Sequence, residues 1–304
     1  MPPSETGTVI ITGANGSCAT PFVSHLLTHY PSLTLLATVR NASPSDPNTA
    51  RLNDIMPTSS QASIEPLDLA SLSSVRAFAE KTAQRVKGGE IPPIKAIVCN
   101  ACTMSLKEQV YTEDGFERTF QVNHLSHYLL VLKLLGSMSQ DGRIVMLGSN
   151  THYTDRPHPL FNMRVGIPKD VETLVKPKPD VVGKEYDHGF HRYGITTAMD
   201  PGGMVDSRAH KIQTPLIRFV FGLIVLLLPI LKYFTDELRS SAQSGQELAE
   251  LAVGDKYQGE KGYFMGARRE KEDAICMDAD KRDVLWKACW EWAGVKKEET
   301  VLGE

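Results

Sequence analysis

No apolar run in this chain of 304 residues is long enough to cross a bilayer. The longest, Phe219 to Leu231, has 13 residues, where a spanning helix needs roughly 20. An excess of one charge is lacking too: the formal net charge is -3, with acids and bases interspersed, which leaves no basic footprint for nucleic acid. Cysteine is scarce. The five cysteines are scattered and cannot all pair, so a disulfide framework is excluded and a reducing compartment is expected. Met1-Pro2-Pro3-Ser4-Glu5 is polar, so no leader peptide is expected and the cytoplasm is the expected location, with membrane association kept open by the apolar run. Cys99-x-x-Cys102 has no second pair or nearby histidine to complete a redox or metal site. His124-x-x-His127, His152 and His188-x-x-His191 join no acidic or thiol ligands at a spacing that assembles three or four donors. No metal is expected.

What the chain does have is alternation. Thr8 to Ile11 is an apolar run of strand length, followed by a Gly-rich turn and a helical pattern from Pro21 to Tyr30. Leu33 to Val39 and Ala62 to Leu67 read as the second and third strands. Leu72, Val75, Ala79, Thr82 and Val86 share one helical face, closed by Gly88-Gly89. Ile94 to Cys99 is a fourth strand. Asp114 to Met138 is predicted as one long amphipathic helix, and Arg143 to Leu147 as a fifth strand after an Asp141-Gly142 turn. Strands alternating with helices imply an α/β fold, a Rossmann-type doubly wound parallel sheet of six or seven strands. One domain over residues 1–304 is expected, with 204–245 as a substrate lid or membrane-contact segment. Ligands of such sheets bind beyond the carboxyl ends of the strands, so the loops there are where function is sought.

The first of those loops reads Thr12-Gly13-Ala14-Asn15-Gly16-Ser17-Cys18-Ala19. Glycines at 13 and 16 permit a tight turn and let backbone N–H groups approach a pyrophosphate, whose charge the following helix N-terminus offsets. The position of this loop, between a buried strand and a helix in the first βαβ unit, is the context that a dinucleotide site requires. Gly13, Asn15, Gly16, Ser17 and Cys18 are therefore candidate cofactor contacts.

Taken together the motifs resemble the short-chain dehydrogenase/reductase family over nearly the whole chain, and within it the retinol dehydrogenase-like branch. The first loop matches the variant Thr-Gly-x-x-Gly-x-x-Gly, with Ala19 replacing the last glycine. Asp68-Leu69 resembles the pair that contacts adenine, and Asn100-Ala101 part of the family's Asn-Asn-Ala-Gly. Asp114 through Leu125 is similar to the central helix, with Asn123 at the active-site asparagine. Pro201-Gly202-Gly203-Met204-Val205 resembles the turn over the nicotinamide, with Pro201, Gly202 and Val205 as contacts. Thr38-Val39-Arg40-Asn41 holds no acid for a ribose hydroxyl, and Arg40 suits a 2′-phosphate. NADP(H) is the expected cofactor. The resemblance implies hydride transfer between a lipophilic carbonyl and an alcohol.

It also implies a tyrosine that exchanges the substrate proton. A free phenol has a pKa of about 10, and in the family a lysine four residues on favours phenolate. Ser149, after the fifth strand, matches the serine that holds the substrate oxygen. Tyr193 in His191-Arg-Tyr193-Gly194 resembles the tyrosine, but position 197 is Thr, and Ile195 to Met199 already reads as the next strand. Tyr153 and Tyr186 fail likewise, with Pro157 and Phe190 four residues on. Three readings stay open: a lysine from elsewhere, such as Lys184 or Lys169; a non-redox NADP(H)-binding protein or scaffold; or a message that lost the catalytic helix, which the abrupt Gly194–Ile195 junction favours. Without that helix, Leu129, Leu132 and Leu135 are expected to lose their cover, with low stability or aggregation following. The run Phe219 to Leu231 is either a lid over a lipophilic substrate or a shallow membrane contact. Trp286, Trp290 and Trp292 read as packing. The oligomeric state is left open.

Overall fold

The computed structural model describes residues 6–56, 61–104, 108–155, 166–177, 199–208, 215–231, 235 and 237–302. Tyr193, Lys184 and Tyr186 lie outside them. Five parallel strands, β1 (Gly7–Thr12), β2 (Leu33–Val39), β3 (Ala62–Pro66), β4 (Ile94–Cys99) and β5 (Met138–Met146), hydrogen-bond in the order β3-β2-β1-β4-β5. Between them come α1 (Ala19–His29), α2 (Pro47–Ile55), α3 (Leu72–Lys87), and a central helix made of α4 (Arg118–Phe120), a π-helical turn at Gln121–Leu125, and α5 (Ser126–Leu134). A parallel bridge, Leu147 to Met199, carries the sheet on to β6 (Met199–Asp200). The short α6 (Glu172–Val175) precedes that strand. β7 (Gly203–Met204) follows, then α7 (Pro215–Leu231), β8 (Leu238–Arg239), α8 (Ser241–Val253), β9 (Tyr263–Met265) and β10 (Arg268–Glu270). β9 pairs parallel to β6, and β10 closes that edge antiparallel. The chain ends on α9 (Ala274–Met277) and α10 (Ala279–Trp292).

Alternation along the strands feeds two cores, one on each face. Val9 and Ile11 pack with α1 and α8, while Ile10 packs on the side of α3, the central helix and α10. Strand order reverses between β1 and β4, so the crevice at their carboxyl ends is where a ligand fits. The C-terminal tryptophans do pack: Trp286 meets the Tyr128 ring edge-on at 4.9 Å, and Trp292 meets Phe120 at 5.8 Å.

Four details differ from the sequence reading. The central helix starts at Arg118, not Asp114, because Gly115 (φ +79°) forms a turn and Glu117 caps the first N–H groups at Phe120. The Asp114 carboxylate instead accepts from Leu72 N and Gln121 Nε2, at 2.9 and 2.6 Å, and so ties α3 to this helix. β5 starts at Met138, and Asp141-Gly142 lies inside it as a bulge: Met138 pairs with Ile94 and Arg143 with Ala96. α2 was not expected, although Asp46-Pro47 is an N-cap followed by proline at the first helical position, and Asp46 accepts from Asn48 N and Thr49 N. Finally, Leu129 and Leu132 are buried and Leu135 packs against the same core; α3 and α10 cover the face that was expected to be bare.

Candidate dinucleotide and proton-transfer site

Two loops, after β1 and after β4, are bolted together inside the protein. The buried Thr12 hydroxyl accepts from the backbone N–H groups of Asn100 and Ala101, both at 2.9 Å, and lies 2.8 Å from His127 Nε2. His127 Nδ1 faces the Asn123 carbonyl at 3.2 Å. That carbonyl must accept, which places the ring proton on Nδ1 and leaves Nε2 to accept from Thr12. Burial holds His127 neutral, its pKa pushed down to about 4. The Asn100 side chain donates to the carbonyls of Thr12 and Gly13 at 2.8 and 3.2 Å. Gly13 has φ +63°, and a Cβ there would lie 2.9 Å from Ala101 Cβ; one at Gly16 would lie 3.0 Å from the Gly13 carbonyl. The loop is therefore a close-packed cradle with no room for a side chain at either glycine, opening onto an α1 first turn that carries no acid. That geometry suits a pyrophosphate. Cys18 is buried at the helix start and, by desolvation, stays a thiol. Gly245 on α8 lets that helix approach: a Cβ there would sit 2.5 Å from the Cys18 carbonyl.

A corner rich in arginine adjoins the cradle. Asn15 Nδ2 donates to Thr49 Oγ1 at 3.1 Å, and Thr49 donates to the Asn41 carbonyl at 2.7 Å, so the loop after β1, the Arg40-Asn41 turn and α2 are linked. Arg40 is exposed there. Arg208, which sequence reasoning missed, folds back across the chain onto the same place. Its backbone N–H donates to Ser17 Oγ at 3.0 Å, and its guanidinium donates to Ser17 Oγ, the Asn15 carbonyl and Asn48 Oδ1. Among the described residues those acceptors are all neutral. Burial and the nearby Arg51 charge both lower its pKa, whereas Asp46 offsets them in part. The Asp46 carboxyl is itself held below its usual range, first by the Thr49 N–H it accepts, with Arg40 contributing.

Asp68 Oδ1 accepts from Ala70 N at 2.9 Å, and buried Leu69 offers its carbonyl to Ser126 Oγ at 2.6 Å, which fixes this pair against the central helix. Pro201 is fastened through its carbonyl to Ser244 Oγ, Val205 N donates to the Arg239 carbonyl, and Gly202 (φ +75°) makes room for the Arg239 side chain.

At the other end of the crevice, Ser149 follows the bridge from Leu147 to Met199, and Gly148 N donates to the Met199 carbonyl at 2.8 Å. The Ser149 carbonyl accepts from His152 Nδ1 at 2.8 Å. Asp200 is buried, accepts from Asn150 N and Gly202 N at 2.6 and 2.7 Å, and is raised in pKa by desolvation. It thereby joins the serine loop to the Pro201-Gly202 turn. Asn123 sits in the π-helical turn, where its amide clasps the Thr103 backbone, accepting from N at 2.8 Å and donating to O at 3.0 Å. Lys169 is exposed beside α6, and Tyr153 donates its hydroxyl to the Lys271 carbonyl.

Residues 7–159 match the short chain dehydrogenase family, and residues 207–302 match the AcuH dehydrogenase domain. A short-chain dehydrogenase of Talaromyces variabilis is 30% identical, covering 98% of this chain and 99% of that protein; the alignment runs over 375 positions against 304 residues here. A polyprenol dehydrogenase of Mus musculus is 44% identical over 101 residues, 31% of this chain and 28% of that one. In fold, an NADPH-bound carbonyl reductase from chicken fatty liver superposes with a TM-score of 0.56 at 14% identity, covering 88% of this chain and 99% of the other.

Proposed function

The chain belongs to the short-chain dehydrogenase family, and on that premise we propose that it is an NADP(H)-dependent oxidoreductase of lipophilic carbonyls and alcohols, impaired in its proton-transfer step. The family binds a nicotinamide cofactor; the choice of NADP(H) rests on one observation above the others. A half-buried guanidinium, Arg208, meets only neutral acceptors among the described residues, with Arg40 and Arg51 nearby and Asp46 as the acid beside them. Guanidinium groups gathered without matching carboxylates suit a phosphate beyond those of NAD. Gly13, Gly16, Ser17, Asn100 and Ala101 would hold the pyrophosphate and nicotinamide riboside, and Asp68-Leu69 would bound the adenine.

When bound, the nicotinamide supplies or takes the hydride. The chain's own part is to hold the substrate oxygen at Ser149 and exchange its proton at Tyr193. No residue four positions after Tyr193 can assist, since Thr197 stands there. The relative's alignment, longer than this chain, supports the reading that a segment is missing rather than replaced. A lipophilic substrate is supported by the name of the polyprenol dehydrogenase relative and by the apolar α7 segment.

Calorimetric titration tests the cofactor. NADPH should bind roughly tenfold or more tightly than NADH, Arg40→Glu should erase the preference, and Arg208→Gln should diminish it. Equal affinities in the unaltered chain would overturn the assignment.

A further inference from the structure

Among the described residues, the exposed side chains of α7 are all apolar. Phe219, Leu223, Leu226 and Ile230 fall at i, i+4, i+7 and i+11, one stripe of a helix. They are 71%, 48%, 74% and 59% exposed, with Val225 and Leu227 exposed beside them. Among the described residues of this helix, Leu228 is buried. At 17 residues α7 is about 25 Å long, interrupted by Pro229, and no helix among the described residues is long and apolar enough to cross a membrane. An exposed apolar stripe of this size on a soluble surface marks an interaction site.

Charge says what covers it. From Ser207 to Thr235 the sequence contains no Asp or Glu, yet it carries Arg208, Lys211, Arg218 and Lys232, in a chain whose net charge is -3. Arg218 and Lys232 bracket the apolar run, and Tyr233-Phe234 follow it. Basic ends around an apolar helix, with aromatic residues at its edge, match an anionic interface and not another copy of the same helix. A two-fold pair of this segment would bring together two copies of an acid-free, basic stretch of sequence, parallel or antiparallel. Both arrangements juxtapose like charges.

We propose that α7 lies in the plane of a bilayer surface rich in anionic lipid, its Phe219–Leu223–Leu226–Ile230 stripe immersed among the acyl chains and the flanking cations paired with phosphate or carboxylate headgroups. This holds the crevice at the membrane whether or not the chain turns over, so it stands apart from the cofactor assignment.

The test is co-sedimentation of the full chain with vesicles of phosphatidylcholine alone and of phosphatidylcholine mixed with phosphatidylserine. Binding should be roughly tenfold or more stronger to the mixed vesicles, from the charges of Arg218 and Lys232 at the two ends of the apolar run, and should fall as salt rises. Phe219→Glu with Leu226→Glu should abolish it, with the far-UV circular dichroism spectrum and the urea midpoint unchanged as the check on folding. Arg218→Gln with Lys232→Gln should leave weak binding that no longer distinguishes the two vesicles. Failure of the unaltered, monodisperse chain to bind either vesicle would overturn the proposal. So would a dimer by light scattering that the glutamate pair dissolves.

Discussion

β4 and β5 are neighbours in one parallel sheet, yet they live in different surroundings. Every residue of β4 is buried, while in β5 Val145 alone is buried and Ile144 is 37% exposed. Parallel strands are normally covered on both faces. The strand that ends in the cradle has that cover; the strand that leads to Ser149 has it thinly. On the proposed function, holding a dinucleotide and moving a proton would thus draw on differently covered parts of the fold, and one could be whole while the other is not.

The largest expected effect tests that separation directly. Inserting a helix with Tyr-x-x-x-Lys spacing between Gly194 and Ile195 should raise NADPH-dependent reduction of lipophilic ketones by about 10²- to 10⁴-fold, the usual worth of general acid–base catalysis. NADPH affinity should hardly move. If the unaltered chain already turns over well and Tyr193→Phe stops it, a lysine reaches Tyr193 from elsewhere and the two parts are not separate.

Next in size is packing. Ile97→Ala in β4 should cost about 2–5 kcal/mol in urea unfolding, and Ile144→Ala in β5 about 1 kcal/mol. Similar losses at both would mean that β5 is covered as well as β4.

Acid should loosen the cradle side through two histidines. Burial pushes the pKa of His124 and His127 down to about 4, with His127 adding to the effect on His124. An unfolded chain protonates them near 6.5. Their contribution is therefore full above pH 6.5 and is lost as pH falls towards 4, on the order of 2–3 kcal/mol for each. Urea midpoints across that window should decline for the unaltered protein and less steeply for His127→Gln. Parallel declines would show that His127 is not held neutral.

The smallest effect is at the arginine corner. Asp46→Asn keeps an N-cap for α2 but removes the acid beside Arg40. NADPH should bind a few-fold more tightly, and NADH should be unaffected. An equal gain for both would place the 2′-phosphate away from this corner.

Much of this was legible in the sequence where the chemistry is local. Leu33–Val39 and Ile94–Cys99 have the bounds that apolar runs between turns imply, and glycines at 13 and 16 mark the cradle without any tertiary knowledge. Asp46-Pro47 carried a legible helix start that went unused. Residues whose role depends on distant chain could not be read. Arg208 reaches Ser17 from 191 positions away, and no motif announces it. Asp114 resembles a helix opening but is spent on the start of α3, and the π-helical turn that holds Asn123 leaves no periodicity to find. No local pattern singles out Gly245, which α8 needs in order to lie against α1.

The bonds joining Thr12 and Gly13 to Asn100 and Ala101 have a thermodynamic consequence. They order the two loops during folding, so a ligand arriving later has little loop entropy left to remove. On the proposed function, affinity for the dinucleotide would then depend on a rigid frame tied through His127 to the Asn123 carbonyl.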